Sequence, residues 1–182
     1  MKQHLALFFT VIIVLYLLSG CSRNLTEDQL YSQAADQEQR AVDYESQGKT
    51  AEAADLFKKS TQSYEKLVTN YPESEKAPEV LYKLGTAYLN NLKDPQKSVD
   101  TYRRLIEQYP DSKYVIQSYF MIGFRYANDI KDLDKAKEAY SLFLEKYPEN
   151  ELAVSVKWEL ENLGKDISEI EFLDDTTPKD KK

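Results

Sequence analysis

One phrase occurs three times in this chain, and its spacing is the strongest constraint on the fold. Residues 66–76 read KLVTNYPESEK, 104–114 read RLIEQYPDSKY and 142–152 read LFLEKYPENEL. Their prolines, Pro72, Pro110 and Pro148, stand 38 residues apart. The same offset relates Tyr64 to Tyr102 and Tyr140, Leu67 to Leu105 and Phe143, and Ser60 to Ser98 and Ala136. In the preceding segments it relates Leu84 to Ile122, Gly85 to Gly123 and Tyr88 to Tyr126. A fixed period of this size means stacked supersecondary units, none of which can bury its apolar face alone.

Each unit reads as two helices. The stretch VLYKLGTAYL (80–89) has apolar or small residues at 81, 84, 85, 88 and 89, which is helical spacing. In the turn NNLKDPQ (90–96), Asp94 is placed to cap a helix and Pro95 suits its first turn. Ser98, Tyr102, Leu105 and Ile106 then mark the inner stripe of the partner helix. Tyr-Pro ends that helix, because proline cannot continue it. Ser74, Ser112 and Asn150 follow, where a side-chain oxygen can cap the next helix. The first unit departs from this length. AVDYESQGKTAEAADLFKKS (41–60) turns at Gly48, predicting long helices at roughly 27–47 and 50–70. ELAVSVKWELENLG (151–164) repeats only a first helix, stopped by Gly164, and is expected to cap the stack. Residues 165–182 read as a polar, flexible tail, in which ISEIEFL could add a short helix.

The pattern Leu81-x-x-Leu84-Gly85-x-x-Tyr88, then a small residue, an aromatic and a proline, resembles the tetratricopeptide repeat (TPR). Residues 81–110 carry it, and 119–148 carry it equally well. The resemblance implies an all-α, right-handed TPR-type solenoid over 28–164, three helical hairpins plus a C-terminal capping helix. The glycine, 85 or 123, is where the helices of a hairpin approach closely. The resemblance also implies a groove lined by first helices, with Tyr82, Phe120 and Trp158 at 38-residue offsets and Thr86 and Phe124 one turn on. Leu89, Asn90, Ala127 and Asn128 lie beyond these. Such an aromatic ladder suits an extended or helical peptide. The alternative is that these rings only pack between neighbouring helices. The Lys, Asn and Arg clamp that some TPR domains use for a terminal carboxylate is not evident.

Residues 1–20 read as a secretory signal: Lys2, the 14-residue apolar run LALFFTVIIVLYLL (5–18), then Ser19 and Gly20. That run is short for a spanning helix, which needs about 20 residues. Leu18-Ser19-Gly20-Cys21 resembles the lipobox of bacterial lipoproteins. The resemblance implies cleavage before Cys21, covalent lipid on that residue and a lipidated tether over 21–27. An uncleaved anchor with an incidental Cys is the other reading. Cys21 is the only cysteine, and a free thiol would be odd in an exported protein. Cleavage removes Lys2 and His4, leaving 23 Lys/Arg against 31 Asp/Glu, a net charge of −8. That balance disfavours nucleic acid, whose phosphates need cationic contacts.

The mature chain would have no His and no free thiol, which excludes His bases, Ser-His and Cys-His pairs, and His or Cys metal ligands. Its glycines have turn, packing or processing roles, and none builds a phosphate loop. Asp129, Asp132 and Asp134 crowd one turn but lack the Gly and distal Glu of a calcium loop, so a solvated turn is the reading. No catalysis and no cofactor beyond the lipid are expected, and binding remains.

A lipidated, exported chain of TPR units with YPES and YPDS phrases is similar to the BamD family, the lipoproteins of the outer-membrane β-barrel assembly machinery. The similarity covers about 28–164; that family has five repeats against three and a cap here. It implies an adaptor that faces the periplasm from the outer membrane and docks envelope proteins, including a β-barrel protein or peptide segments. Ser22 after the Cys is compatible with outer-membrane sorting. Two alternatives stand beside it. One is an envelope-organising role like that of the TPR protein of the Tol-Pal division system; the other is a structural subunit of a secretion or motility complex.

Overall fold

The computed structural model describes residues 25–165. The signal segment, Cys21, most of the tether and the tail beyond Lys165 lie outside the described residues. Within them the chain forms seven helices: α1 (Glu27–Ser46), α2 (Thr50–Asn70), α3 (Ala77–Asn90), α4 (Pro95–Gln108), α5 (Val115–Arg125), α6 (Leu133–Lys146) and α7 (Leu152–Glu161). A π-helical turn, Tyr126–Ile130, extends α5. No strand occurs among the described residues. Each helix packs chiefly on its neighbours in sequence, so the fold is a TPR-like solenoid of stacked hairpins.

The Tyr-Pro phrase works as a helix stop. Tyr71, Tyr109 and Tyr147 sit just past α2, α4 and α6 with φ of −132°, −134° and −134°. The residue before a proline is pushed out of the helical region, which ends each helix there. Their N–H groups still donate to Leu67, Leu105 and Phe143, at 2.8, 2.9 and 2.8 Å. The tyrosine side chain ties successive corners: Tyr109 donates to the Pro72 carbonyl at 2.6 Å, and Tyr71 to the Leu25 carbonyl at 2.9 Å.

Ser74, Ser112 and Asn150 act differently from the expected caps. Their side-chain oxygens accept the N–H of Lys76, Tyr114 and Leu152, two residues on, at 3.0, 3.3 and 3.0 Å. They close a turn ahead of each first helix, the local bonding that Ser and Asn favour in loops. The residues at the start of α3, α5 and α7, namely Lys76, Tyr114 and Glu151, make no side-chain cap. True caps are Thr26, which forms a reciprocal capping box with Gln29, and Asp94 and Asp132 at α4 and α6.

Each hairpin turns through one residue in the left-handed region: Gly48 (φ +74°), Lys93 (φ +55°) and Lys131 (φ +64°). Across the turn the helices meet through a small residue. A methyl group on Gly85 would lie 2.6 Å from the Tyr102 ring, and one on Gly123 would lie 2.5 Å from the Tyr140 ring. Both glycines are mid-helix, where they cost stability relative to alanine, so close approach is what requires them. Beside this contact Ser98 donates to the Gly85 carbonyl at 2.5 Å, and Ser60 donates to the Ala34 carbonyl at 2.8 Å. The shared bond shows that Ala34 holds in the first hairpin the place that Gly85 holds in the second.

Candidate functional site

That correspondence extends an aromatic ladder along the first helices. Tyr31 of α1, three residues before Ala34, packs on Tyr64 of α2 with centroids 5.9 Å apart. Tyr82 of α3, three before Gly85, packs on Tyr102 of α4 at 5.6 Å. Phe120 of α5, three before Gly123, packs on Tyr140 of α6 at 6.4 Å. The inner tyrosines are fully buried, whereas Tyr31, Tyr82 and Phe120 are half-buried. Trp158 of α7 continues the series with 45% of its surface exposed.

Further groups surround the ladder. Tyr114, at the start of α5, stacks on Tyr82 at 5.3 Å, and Phe124 lies 5.9 Å from Phe120. Thr86 is half-buried, its hydroxyl 3.1 Å from that of Tyr102. Leu89 is half-buried and Asn90 exposed; Asn128 is exposed and donates to the Phe124 carbonyl at 3.1 Å. Ala127 is buried and belongs to the core. The rings are thus packed on neighbouring helices and partly exposed. Tyr82 and Phe120 contact the core with one edge and present the other, while Asn90, Asn128 and Trp158 are open to solvent.

Charge is sparse here but placed. The Tyr31 hydroxyl donates to Glu79 at 2.9 Å, and Lys83 lies 6.0 and 5.9 Å from the Tyr31 and Tyr64 rings. Arg125 is almost wholly buried; it pairs with Asp129 at 3.1 Å, and its Nε has no hydrogen-bond partner. Burial pushes the Tyr82 hydroxyl up to about 12, with Arg125 opposing the rise. Burial likewise raises Tyr102, opposed by its hydrogen bond with Thr86 and by the nearby Arg125 charge. These rings therefore stay neutral at physiological pH and offer apolar area with polar tips.

The aspartates of the third turn have separate employments. Asp129 pairs with Arg125, while Asp132 caps α6 through the Lys135 N–H at 3.1 Å. The Lys135 ammonium, 2.7 Å from Asp132, holds that carboxyl below its usual range. Among the described residues no three His, Cys, Asp or Glu side chains converge where a metal ion could be held.

Residues 79–112 and 117–150 match the tetratricopeptide-repeat family model. These two segments cover α3 with α4 and α5 with α6, starting two residues inside the first helix and ending four residues past the second. Repeats of this kind form protein-interaction scaffolds rather than enzymes. No curated protein matches the chain. Two solved structures are similar to parts of the chain. The first TPR of Spaghetti (RPAP3), bound to an HSP90 peptide, is 19% identical with a TM-score of 0.46, over 73% of this chain and 91% of that one. The C-terminal TPR-containing domain of a Plasmodium falciparum FK506-binding protein is 16% identical with a TM-score of 0.47, over 75% and 89%. At these levels neither bears on fold, ligand or partner.

The ladder members missing from the sequence reading are Tyr31 and Tyr114, with Lys83 and Arg125 beside them. Tyr31 stands 51 residues before Tyr82, not 38, because α1 and α2 are longer than later helices. Counting from the turn does not find it either, since Tyr31 lies seventeen residues before Gly48 and Tyr82 eleven before Lys93; the Ser60–Ala34 hydrogen bond, matching that of Ser98 with Gly85, is what aligns them.

Proposed function

We propose that this chain is a lipid-anchored adaptor of the bacterial envelope whose first-helix face binds an extended or helical segment of a partner protein. The observation that carries the reading is the ladder of Tyr31, Tyr82, Phe120 and Trp158, half-open aromatic rings repeated along one side of the stack. Aromatic side chains of this kind give large contact area at small entropic cost and dominate interface energetics. Phe124, Thr86, Leu89, Asn90 and Asn128 flank the ladder and supply apolar and amide contacts for a peptide backbone.

The membrane part of the proposal rests on the sequence Leu18-Ser19-Gly20-Cys21 after an apolar run. Lipid on Cys21 would hold the domain at the periplasmic face of the outer membrane, since each buried methylene contributes about 0.8 kcal/mol. The acidic surface adds no attraction to anionic lipid, so the anchor alone sets membrane binding. A role in outer-membrane β-barrel assembly, as in the BamD family, is the form of adaptor the YPES and YPDS phrases favour.

Cross-linked membranes, with capture of the full chain and identification of its adducts by mass spectrometry, test the reading. Phe120→Ala and Phe124→Ala should lower recovery of the same partners about tenfold, a loss of about 1.4 kcal/mol. Cys21→Ala should leave the precursor unprocessed and unlabelled by palmitate. Undiminished capture by both aromatic variants would refute the binding face, and normal palmitate labelling of Cys21→Ala would refute the anchor.

A further inference from the structure

The first-helix face changes its chemistry along the stack. Because Ala34 holds the place of Gly85, Glu38, four residues after Ala34, stands where α3 has Leu89 and α5 has the buried Ala127. Glu79 and Lys83 of α3 give way, 38 residues on, to Gln117 and Met121 of α5. The ladder rings change in step, from Tyr31 and Tyr82 to Phe120 and Trp158. Carboxylates and phenols thus mark the α1 end, and rings without a hydroxyl the other. Charge follows the same order: α1 carries six acidic residues against Arg40 alone, a net charge of −5 within twenty residues.

Two of these carboxylates meet one pair of touching rings. Tyr31 and Tyr64 pack edge to face; Tyr31 donates to Glu79 at 2.9 Å, and Tyr64 donates to Glu38 at 3.3 Å. Tyr31, Glu38 and Glu79 are half-buried, so this group is open on one side. Burial, and then the Glu79 and Glu38 carboxylates, hold the Tyr31 hydroxyl above its ordinary range. Each carboxylate has acceptor capacity beyond one hydrogen bond. Among the described residues neither has a cation within ion-pair distance. Lys83, one turn after Glu79, instead rests 6.0 and 5.9 Å from the Tyr31 and Tyr64 rings, the outer limit of a cation–π contact. Its ammonium marks a place that favours a cation and leaves both carboxylates without a charge partner. We propose that the α1–α3 end of the first-helix face takes a basic side chain, lysine or arginine, of the partner segment, beside the Tyr31 ring where Glu38 and Glu79 stand. An acidic segment would meet two carboxylates whose neighbouring hydroxyls are already engaged. Two carboxylates without a third ligating side chain suit an ammonium or guanidinium better than a metal ion. The segment then lies in one direction, its basic residue over α1 and α3 and its apolar residues over Phe120 and Phe124.

A basic residue docks here only if the first-helix face binds the partner, as proposed for the chain's function, and one experiment lets the two fail separately. The full chain in mild detergent selects binders from a displayed library of random peptides, and a selected peptide is labelled and titrated by fluorescence anisotropy. Selected peptides should share a lysine or arginine at a fixed spacing from aromatic or aliphatic residues. Glu38→Gln combined with Glu79→Gln keeps the shape of both side chains and should weaken the peptide about tenfold, with circular dichroism unchanged. Methionine in place of the peptide's basic residue should cost about the same in the unaltered chain and little in the double variant, since both changes remove one interaction. Lys83→Met should tighten binding severalfold by removing the competing ammonium. Peptides weakened by Phe124→Ala yet indifferent to the glutamate changes would overturn the inference and leave the binding face standing. Peptides indifferent to Phe124→Ala would overturn the binding face and the inference with it. Binding tightened by the glutamate changes and weakened by Lys83→Met would overturn the inference in favour of an acidic segment.

Discussion

Gly85 and Gly123 set the separation within their hairpins, because a ring from the facing helix occupies the space where a side chain would go. Gly123→Leu should therefore destabilise the domain by about 1–3 kcal/mol or more, since overpacking a tight contact forces backbone shifts. Urea unfolding followed by circular dichroism measures this, and an unchanged midpoint would show that α5 and α6 can part without cost. Ala34 does the same task with a methyl group, which its hairpin accommodates beside Ser60 and Tyr64. Among the described buried side chains, the Tyr140 hydroxyl and the Nε of Arg125 lack a hydrogen-bond partner, and Arg125 is the charged one. Its one ion pair with Asp129 leaves the Nε unsatisfied, a costly arrangement beside the Tyr82 and Tyr102 rings.

Helices two through six of the stack owe their limits to short signals: a cap or turn at the start and Tyr-Pro or a left-handed residue at the end. Thr26→Ala, which removes the only reciprocal capping box among the described helices, should cost about 1 kcal/mol. The loss should appear as faster hydrogen exchange in the first turn of α1 ahead of the rest. The hairpins of α3 with α4 and α5 with α6 are legible in the sequence because their offset of 38 holds for glycine, tyrosine and proline alike. Gly48 is legible as a turn because glycine takes a positive φ freely; Lys93 and Lys131 are not, since lysine rarely does. Tyr31 is hidden by the length of α1, and Tyr114 because the turn before α5 has no fixed periodicity to place its ring. The roles of Ser74, Ser112 and Asn150 fall one turn early because their oxygens reach only two residues along the chain.

Over the whole molecule, tyrosine joins one hairpin to the next, and this gives the fold an alkaline limit. Burial raises the hydroxyls of Tyr64, Tyr82, Tyr88, Tyr102 and Tyr140, with Tyr82 at about 12 against an ordinary value of 10. The folded state then binds protons more tightly than the unfolded one. Its stability contribution is complete below pH 10 and is lost as pH rises from 10 toward 12. Urea midpoints should be flat from pH 8 to about 10 and fall above it, in step with tyrosinate absorbance; a flat midpoint to pH 11.5 would contradict the burial of these rings. The stack presents two long sides, and the central claim is that the first-helix side meets the partner. A photo-cross-linking residue in place of Phe124 probes that side, and one in place of Leu142, exposed on α6, probes the other. Irradiation of living cells should give a discrete protein adduct from position 124 and none from 142. Adducts from 142 with none from 124 would place the partner on the second-helix side and contradict the account.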